Sequence, residues 1–252
     1  MKKWLLLILT AALIFSLCAC SKDHIEIDPE PTAVNTAALR GEFDAACAYV
    51  ESAADVSKME ATLQDDENGL FRHWNGFSEE YDEIGLDFKL EDNVFTLGTT
   101  TVSELTALGY KPDTDIETVE PNTVQGFSIT KGDKFCNLAV DNSTDQPQKF
   151  SDMPIMQFNG TSPENGCLPF TYSGITCGST LKEVLDALGT PKLNITVLTD
   201  TAGTEIGLNY LNATTKGNLD STDTLEIYLR YDKDKDTALV TSIILNRVVG
   251  GV

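Results

Sequence analysis

The chain has 252 residues with 18 basic and 39 acidic side chains, which gives a formal net charge of −21. A protein this acidic repels phosphate backbones and anionic headgroups, so nucleic acid is excluded as an expected partner. After a leader segment, the length suffices for one medium domain or two small ones.

The first residues predict a lipoprotein signal peptide over residues 1–19. Two lysines precede an apolar run of 14 residues, 4–17. That run is shorter than the roughly 20 residues that a membrane-spanning helix needs, and it fits the apolar region of a signal sequence. It ends in L-C-A-C, which resembles a bacterial lipobox, and Cys20 is the expected lipid-attachment residue because the small Ala19 precedes it. The alternative is an ordinary secretory signal or an uncleaved anchor.

Lipidation of Cys20 implies that the mature chain is extracytoplasmic and anchored to the cell membrane. The mature chain lacks the two leader lysines, so 16 basic side chains remain against 39 acidic ones, a charge of −23. Residues 20–36 are polar, contain two prolines and show no helical or strand period. They are predicted to be a tether between the lipid and the folded part.

Four cysteines follow the anchor: Cys47, Cys136, Cys167 and Cys177. Outside the cytoplasm they could form disulfides in three complete pairings, and the sequence leaves these open. Their spacings match no zinc motif, since such motifs contain closely spaced pairs. Free buried thiols are the favoured interpretation, and disulfides are the alternative.

Residues 37–84 are predicted to form an acidic helical segment. Four apolar side chains share one side of a first helix: Leu39, Phe43, Cys47 and Val50. Residues 65–69 are predicted to turn the chain. Aromatic side chains at i, i+3 and i+7 then indicate a second helical stretch: Trp74, Phe77 and Tyr81.

From residue 85 the apolar pattern changes from a helical period to the alternation of strands. A first module is predicted over residues 85–160, with a helix and several strands: 86–90, 124–129, 135–140 and 155–158. Residues 159–166 are rich in Gly, Ser, Pro and Asn and indicate a boundary. A second module is predicted over residues 167–252, again with a helix and several strands: 195–198, 206–210, 225–231 and 239–245.

The clearest helix signal lies in residues 174–191, where apolar residues at i, i+3, i+4 and i+7 follow a Gly-Ser-Thr start and precede Gly189. The same unit occurs 80 residues earlier, since residues 96–109 align with 176–189 without a gap. Each module is therefore predicted to be a helix packed on a small antiparallel sheet. The predicted fold class is α+β, with the helical segment preceding two tandem modules.

The second unit has the pattern I-T-x-G-S-T-x-x-E-V-L-x-x-L-G-x-P, from Ile175 to Pro191. With the strands that follow, it resembles the β-lactamase-inhibitor-protein type of fold and is similar to the small lipoprotein of bacterial outer-membrane assembly. The whole chain is also similar to tandem-module lipoproteins of Gram-positive bacteria. The resemblance implies a fold and not an activity. In the inhibitor a concave sheet and loops hold an enzyme, and no such loop matches this sequence residue by residue.

The sequence offers no catalytic constellation, so a non-enzymatic protein is predicted. Its only histidines are His24 and His73, and no G-x-S-x-G motif occurs. The S-x-x-K motif at Ser179 lacks the partner motifs of its enzyme class, and a helix cap is the favoured interpretation of that serine. No metal motif or phosphate-binding loop is convincing, so no cofactor is predicted.

The strand at 225–231 supplies the candidate binding face. Its apolar residues are expected to face the covering helix, so the alternate residues point the other way: Glu226, Tyr228 and Arg230. Tyrosine and arginine are common anchors of interfaces. The alternative is a set of ordinary cross-strand pairs on a solvated face.

These features predict a membrane-anchored, non-enzymatic lipoprotein that binds a protein or a cell-envelope component. One alternative is a proteinaceous inhibitor of an extracytoplasmic enzyme. A further alternative is a solute-binding lipoprotein, although such receptors have two lobes with parallel strands and the strands predicted here are antiparallel.

Overall fold

The computed structural model describes residues 36–66, 69–76, 81–214 and 221–249. Strands account for 52% of these residues and helices for 19%. The three α-helices of this described part are α1 (Thr36–Ala53), α2 (Val102–Ala107) and α3 (Leu181–Leu188), and short 3-10 turns lie at Phe150–Asp152 and Pro163–Asn165. The predicted α+β fold class is therefore wrong, because the protein is mostly β.

Fifteen strands are present in the described residues. In chain order they are β1 (Met59–Asp66), β2 (Gly69–Gly76), β3 (Asp87–Leu90), β4 (Asn93–Thr96), β5 (Lys111–Pro112), β6 (Thr118–Val119), β7 (Thr123–Lys131), β8 (Lys134–Asn142), β9 (Gln148–Lys149), β10 (Ile155–Thr161), β11 (Phe170–Thr171), β12 (Asn194–Asp200), β13 (Gly203–Thr214), β14 (Ser221–Asp232) and β15 (Thr237–Val249). The strands predicted within residues 85–252 are all found, so the local predictions there are confirmed.

Ten of these strands form one sheet in the order β1-β2-β12-β13-β14-β15-β10-β8-β7-β5, and every neighbouring pair is antiparallel. A three-stranded sheet has the order β11-β3-β4, and β6 pairs with β9. The predicted tandem modules do not have separate small sheets. The last strand of the first, β10, pairs with the last strand of the second, β15, with Phe158 opposite Leu245.

The prediction of a second helical stretch near Trp74 is wrong, whereas the first helix of that segment is confirmed as α1. Residues 59–76 form the hairpin β1–β2, which joins the large sheet where β2 pairs with β12. The aromatic spacing misled because Trp74 and Leu70 also fit the two-residue period of a strand, and both are buried beneath α1. Phe77 lies outside the described residues, as do the predicted signal peptide (1–19), Cys20 and all of the tether except Thr36.

The helix predicted around residue 184 is confirmed as α3, and the repeat predicted 80 residues earlier is visible in the backbone. Gly98 and Gly178 both have positive φ angles, 75° and 90°. The amide of Gly98 donates to Ile155 O at 2.7 Å, and the amide of Gly178 donates to Val240 O at 2.9 Å. Each unit therefore docks in the same way on one of the two strands that pair at the centre of the sheet, β10 and β15.

The core lies on one face of the ten-stranded sheet. There α1 buries Phe43, Ala46, Cys47 and Val50 against the sheet, and α2 and α3 contribute to the same apolar cluster. The three-stranded sheet packs on this side as well, with the ring of Phe88 stacked on Phe158 at 4.4 Å between centroids. These elements cover one face only.

We call the opposite face of the sheet the open face, because no helix or strand of the described residues covers it. On its central strands, β12 to β15, it carries Thr196, Leu198, Glu205, Asn209, Thr224, Glu226, Tyr228, Arg230, Ser242, Ile244 and Asn246. Each of these side chains keeps some exposure to solvent.

Candidate functional site on the open face

The three residues predicted to bind a partner lie together in the middle of the open face. Strand β14 is the fifth of the ten strands, between β13 and β15. Its alternate apolar residues are buried in the core, whereas Glu226 and Tyr228 are half-buried and Arg230 is exposed. The two-residue period of a strand thus separates the core from a polar surface.

Tyr228 is held in place by its neighbours on the open face. Its hydroxyl donates a 2.6 Å hydrogen bond to Glu226 Oε2. Its ring lies beside Gly207, the cross-strand residue of β13, where an added Cβ would be 3.6 Å from the ring. Burial raises the pKa of Tyr228, and the carboxylates of Glu226 and Glu205 raise it further. The hydroxyl therefore remains a hydrogen-bond donor at neutral pH.

Arg230 lies at the end of the open face, beside the turn between β12 and β13. Its guanidinium crosses Gly203, where an added Cβ would come within 2.8 Å of Nη1. Gly203 also has a φ of 119°, a conformation that glycine adopts without strain. Partial desolvation raises the pKa of the cross-strand residue Glu205, and Asp200 raises it while Arg230 lowers it. One cation thus stands among carboxylates.

A shallow concavity of about 300 Å³ opens beside Arg230, lined by Leu198, Asp200, Ala202, Gly203, Glu205, Arg230 and Thr241. A second one of about 420 Å³ adjoins it and shares Ala202, Gly203 and Arg230. The exposed guanidinium lies at the border of the two. This edge of the open face can therefore receive a side chain or a small polar group of a partner.

Sequence reasoning missed a row of amide side chains that crosses the open face and includes Glu226. The strand registers place Asn75, Asn194, Asn209 and Glu226 side by side on β2, β12, β13 and β14. Asn209 Nδ2 donates to Asn194 Oδ1 at 2.6 Å. On β10, the Oδ1 atom of Asn159 is buried without a hydrogen-bond partner among the described residues. The available signal was the outward position of each asparagine in its strand, but only the pairing registers align them.

The described residues show no complete catalytic arrangement. The ring of His73 contacts the hydroxyl of Thr62 across β1 and β2, but within the described part no carboxylate bonds to the ring to orient it. No group of three or more His, Cys, Asp and Glu in that part could hold a metal ion. None of its helices is long and apolar enough to cross a membrane. The open face offers donors, acceptors and a cation, which suit reversible binding.

The chain was also compared with protein families, curated proteins and solved structures. No protein-family model, curated protein or solved structure gives a match to this chain.

Proposed function

We propose that the chain is an extracytoplasmic, lipid-anchored binding protein without catalytic activity, and that it holds a protein or cell-envelope component against its open face. The observation that carries this proposal is the position of Tyr228, Glu226 and Arg230 on a sheet face that no described element covers. A tyrosine ring and an arginine beside a concavity are the residue types that concentrate binding energy in interfaces.

The surroundings of these residues favour a directional, polar contact. Tyr228 presents a donor, Arg230 presents a cation that crosses Gly203, and the row of amides supplies further donors and acceptors. The net charge of −21 disfavours a polyanionic partner. A protein surface or an envelope polymer with few negative charges fits these properties best.

The anchor part of the proposal rests on the lipobox-like sequence at Cys20. Two or three acyl chains hold a protein firmly on a membrane, whereas one chain holds it only marginally, since each buried CH₂ contributes roughly 0.8 kcal/mol. The negative charge of the folded part would keep it away from anionic headgroups. The open face would then be available to partners in the envelope.

The test is capture of a partner from detergent-solubilised native envelope with the tagged full chain as bait. A Tyr228→Ala/Arg230→Glu variant should capture its partner at least about tenfold less well, because each anchor of an interface contributes on the order of 2 kcal/mol. Tyr228→Phe, which keeps the ring, should retain more capture than the double variant. Quantitative mass spectrometry of the eluates measures the difference.

The matched control is Lys182→Glu, a charge reversal at an exposed residue of α3 that lies away from the open face. It should capture the same partner as the wild type. Equal capture by the wild type and by a folded Tyr228→Ala/Arg230→Glu variant would contradict the proposal. Circular dichroism of each variant establishes that it is folded.

A further inference from the structure

Two of the four described cysteines lie side by side in the core. Cys136 is on β8, and Cys167 follows the 3-10 turn that leads away from β10. The amide of Phe135 donates to Gly166 O at 3.0 Å, and the amide of Leu168 donates to Phe135 O at 2.7 Å. These two bonds place Cys167 directly opposite Phe135, one residue from Cys136.

The two thiols also contact each other. Their mutual hydrogen bond lowers the pKa of Cys167 to about 6 and raises the pKa of Cys136. Thr161, at the end of β10, donates further hydrogen bonds to the Cys167 sulfur. Both residues are almost completely buried, at 0% and 1% exposure. At neutral pH the pair therefore consists of one thiol and one thiolate.

The other two cysteines are placed differently. Cys47 lies on α1, where its charged neighbours are Arg72, Glu51 and Asp44. The thiol of Cys177 donates to Thr241 O at 3.3 Å on β15. No hydrogen bond joins either of them to another cysteine of the described part, so geometry selects one pair.

We propose that Cys136 and Cys167 form a dithiol site that closes to a disulfide when it meets a small-molecule disulfide. The Cys167 thiolate attacks one sulfur of that oxidant and expels a thiolate, which leaves a mixed disulfide on Cys167. Cys136 then loses its proton, its sulfur attacks Cys167 Sγ, and a second thiolate leaves. The protein loses two electrons and two thiol hydrogens in total, and the oxidant is reduced to two thiols.

The bond would connect β8 to the segment that precedes β11, and it would close a loop that contains β9 and β10. Closing such a loop restricts the unfolded chain, so the oxidised protein should resist unfolding better than the reduced one. Because the thiols are buried, the oxidant needs transient opening of the exposed turn Pro163–Asn165. This inference is independent of the partner that binds the open face.

The experiment starts from the folded, fully reduced full chain and adds excess oxidised glutathione. Remaining thiols are alkylated, and peptide mapping under non-reducing conditions identifies any crosslink. We expect one peptide that joins Cys136 to Cys167, a product two hydrogens lighter, and a higher midpoint of urea unfolding that a reductant reverses. Cys47→Ser, as the matched control, should form the same crosslink, whereas Cys167→Ser should not.

The mapping of the wild type decides the question even if a variant fails to fold. Full alkylation of both Cys136 and Cys167 after complete exposure to the oxidant would overturn the proposal. A crosslink between Cys167 and Cys177 in place of Cys136 would overturn it as well.

Discussion

At the scale of single residues, Asp82 connects parts of the chain that are far apart in sequence. Its carboxylate accepts hydrogen bonds from the amides of Lys192 at 3.1 Å and Leu211 at 3.0 Å, and the residue is only 7% exposed. Burial raises the pKa of Asp82, while these amide bonds and the Lys192 ammonium lower it. Its surroundings therefore need a hydrogen-bond acceptor more than they need a negative charge.

Replacing Asp82 tests this distinction. Asp82→Ala should lower the free energy of unfolding by about 2–4 kcal/mol, because two partly buried amides lose their acceptor at about 1–3 kcal/mol each. Asp82→Asn keeps a carbonyl oxygen and should lose less than half as much. Urea unfolding followed by circular dichroism measures both.

The control for Asp82 is Asp152→Ala, since Asp152 is exposed and bonds only to its near neighbours Ser151 and Lys149. Its effect should stay within about 0.5 kcal/mol. Equal losses in Asp82→Ala and Asp82→Asn would indicate that the charge, and not the acceptor, stabilises this site.

The two kinds of polar residue differ in what the sequence can predict. The outward position of Tyr228 was predictable, because its neighbours on β14 alternate between apolar and polar side chains. The role of Asp82 was not, since its acceptor bonds reach residues 110 and 129 positions away. The amide row at Asn194 and Asn209 depends likewise on strand registers that no local pattern specifies.

At the scale of elements, α2 and α3 begin with the same capping box. In α3 the Glu183 amide donates to Thr180 Oγ1 at 3.2 Å, and Glu183 Oε2 accepts from the Thr180 amide at 2.7 Å. In α2, Thr101 and Glu104 make the same two bonds. The reciprocal pair satisfies two amides that the first turn of a helix leaves free.

The capping box gives α3 a pH dependence with a definite sign. The hydrogen bonds from Thr180 lower the pKa of Glu183 below its ordinary value of 4.5. Because the folded-state pKa is the lower one, this contribution to stability is complete above pH 4.5 and is lost as the pH falls through the folded-state value. The wild type should therefore lose stability relative to Glu183→Gln between pH 6 and pH 3.

Urea titrations of both proteins across this pH range measure the difference. The matched control is Asp113→Asn, whose carboxylate accepts from the Ser128 amide far from α3, so it should leave the contribution of Glu183 unchanged. Parallel stability curves for the wild type and Glu183→Gln would contradict the assignment.

Local signals account for which elements were predicted. The caps, the apolar period and the closing glycine of α3 all lie within residues 178–189, so the sequence alone identified that helix. The hairpin at 59–76 has no such signal of its own. Its second strand is stabilised by pairing with β12, which lies about 120 residues later in the chain. The aromatic spacing around Trp74 was therefore assigned the wrong period.

At the scale of the whole molecule, the pairing of β10 with β15 joins the two halves of the chain into one sheet. This seam runs over five residue pairs, from Gln157–Asn246 to Thr161–Ser242. Phe158 and Leu245 face each other across it and are both fully buried. Neither half can therefore lose its sheet without exposing apolar surface of the other.

The continuous sheet predicts cooperative unfolding. Calorimetry should show one transition for the folded part, and Leu138→Ala in β8 and Leu229→Ala in β14 should each move that whole transition. Each substitution should cost about 2–5 kcal/mol, because it leaves a cavity in the core. Leu108→Ala, at an exposed leucine, is the control and should leave the transition almost unchanged. Two separate transitions, each moved by only one of the core variants, would contradict this prediction.

The fold class was mispredicted for the same physical reason that makes the seam important. The repeated unit is real in sequence and in backbone geometry, as the hydrogen bonds of Gly98 and Gly178 demonstrate. A local repeat does not say whether two copies keep separate sheets or share one. That choice depends on contacts between β10 and β15, which lie about 80 residues apart in the chain.

The two edges of the large sheet have different consequences for solubility. One edge is β5, which has only two residues and ends in Pro112, a residue without an N–H to donate. The other edge among the described strands is β1, eight residues long, whose outer backbone groups no described strand pairs. Two copies that met along β1 would bring Glu60 and Asp65 within about 4.8 Å of the next strand. Like charges thus oppose strand-by-strand polymerisation, so the acidity of this chain also protects it from aggregation when copies are crowded.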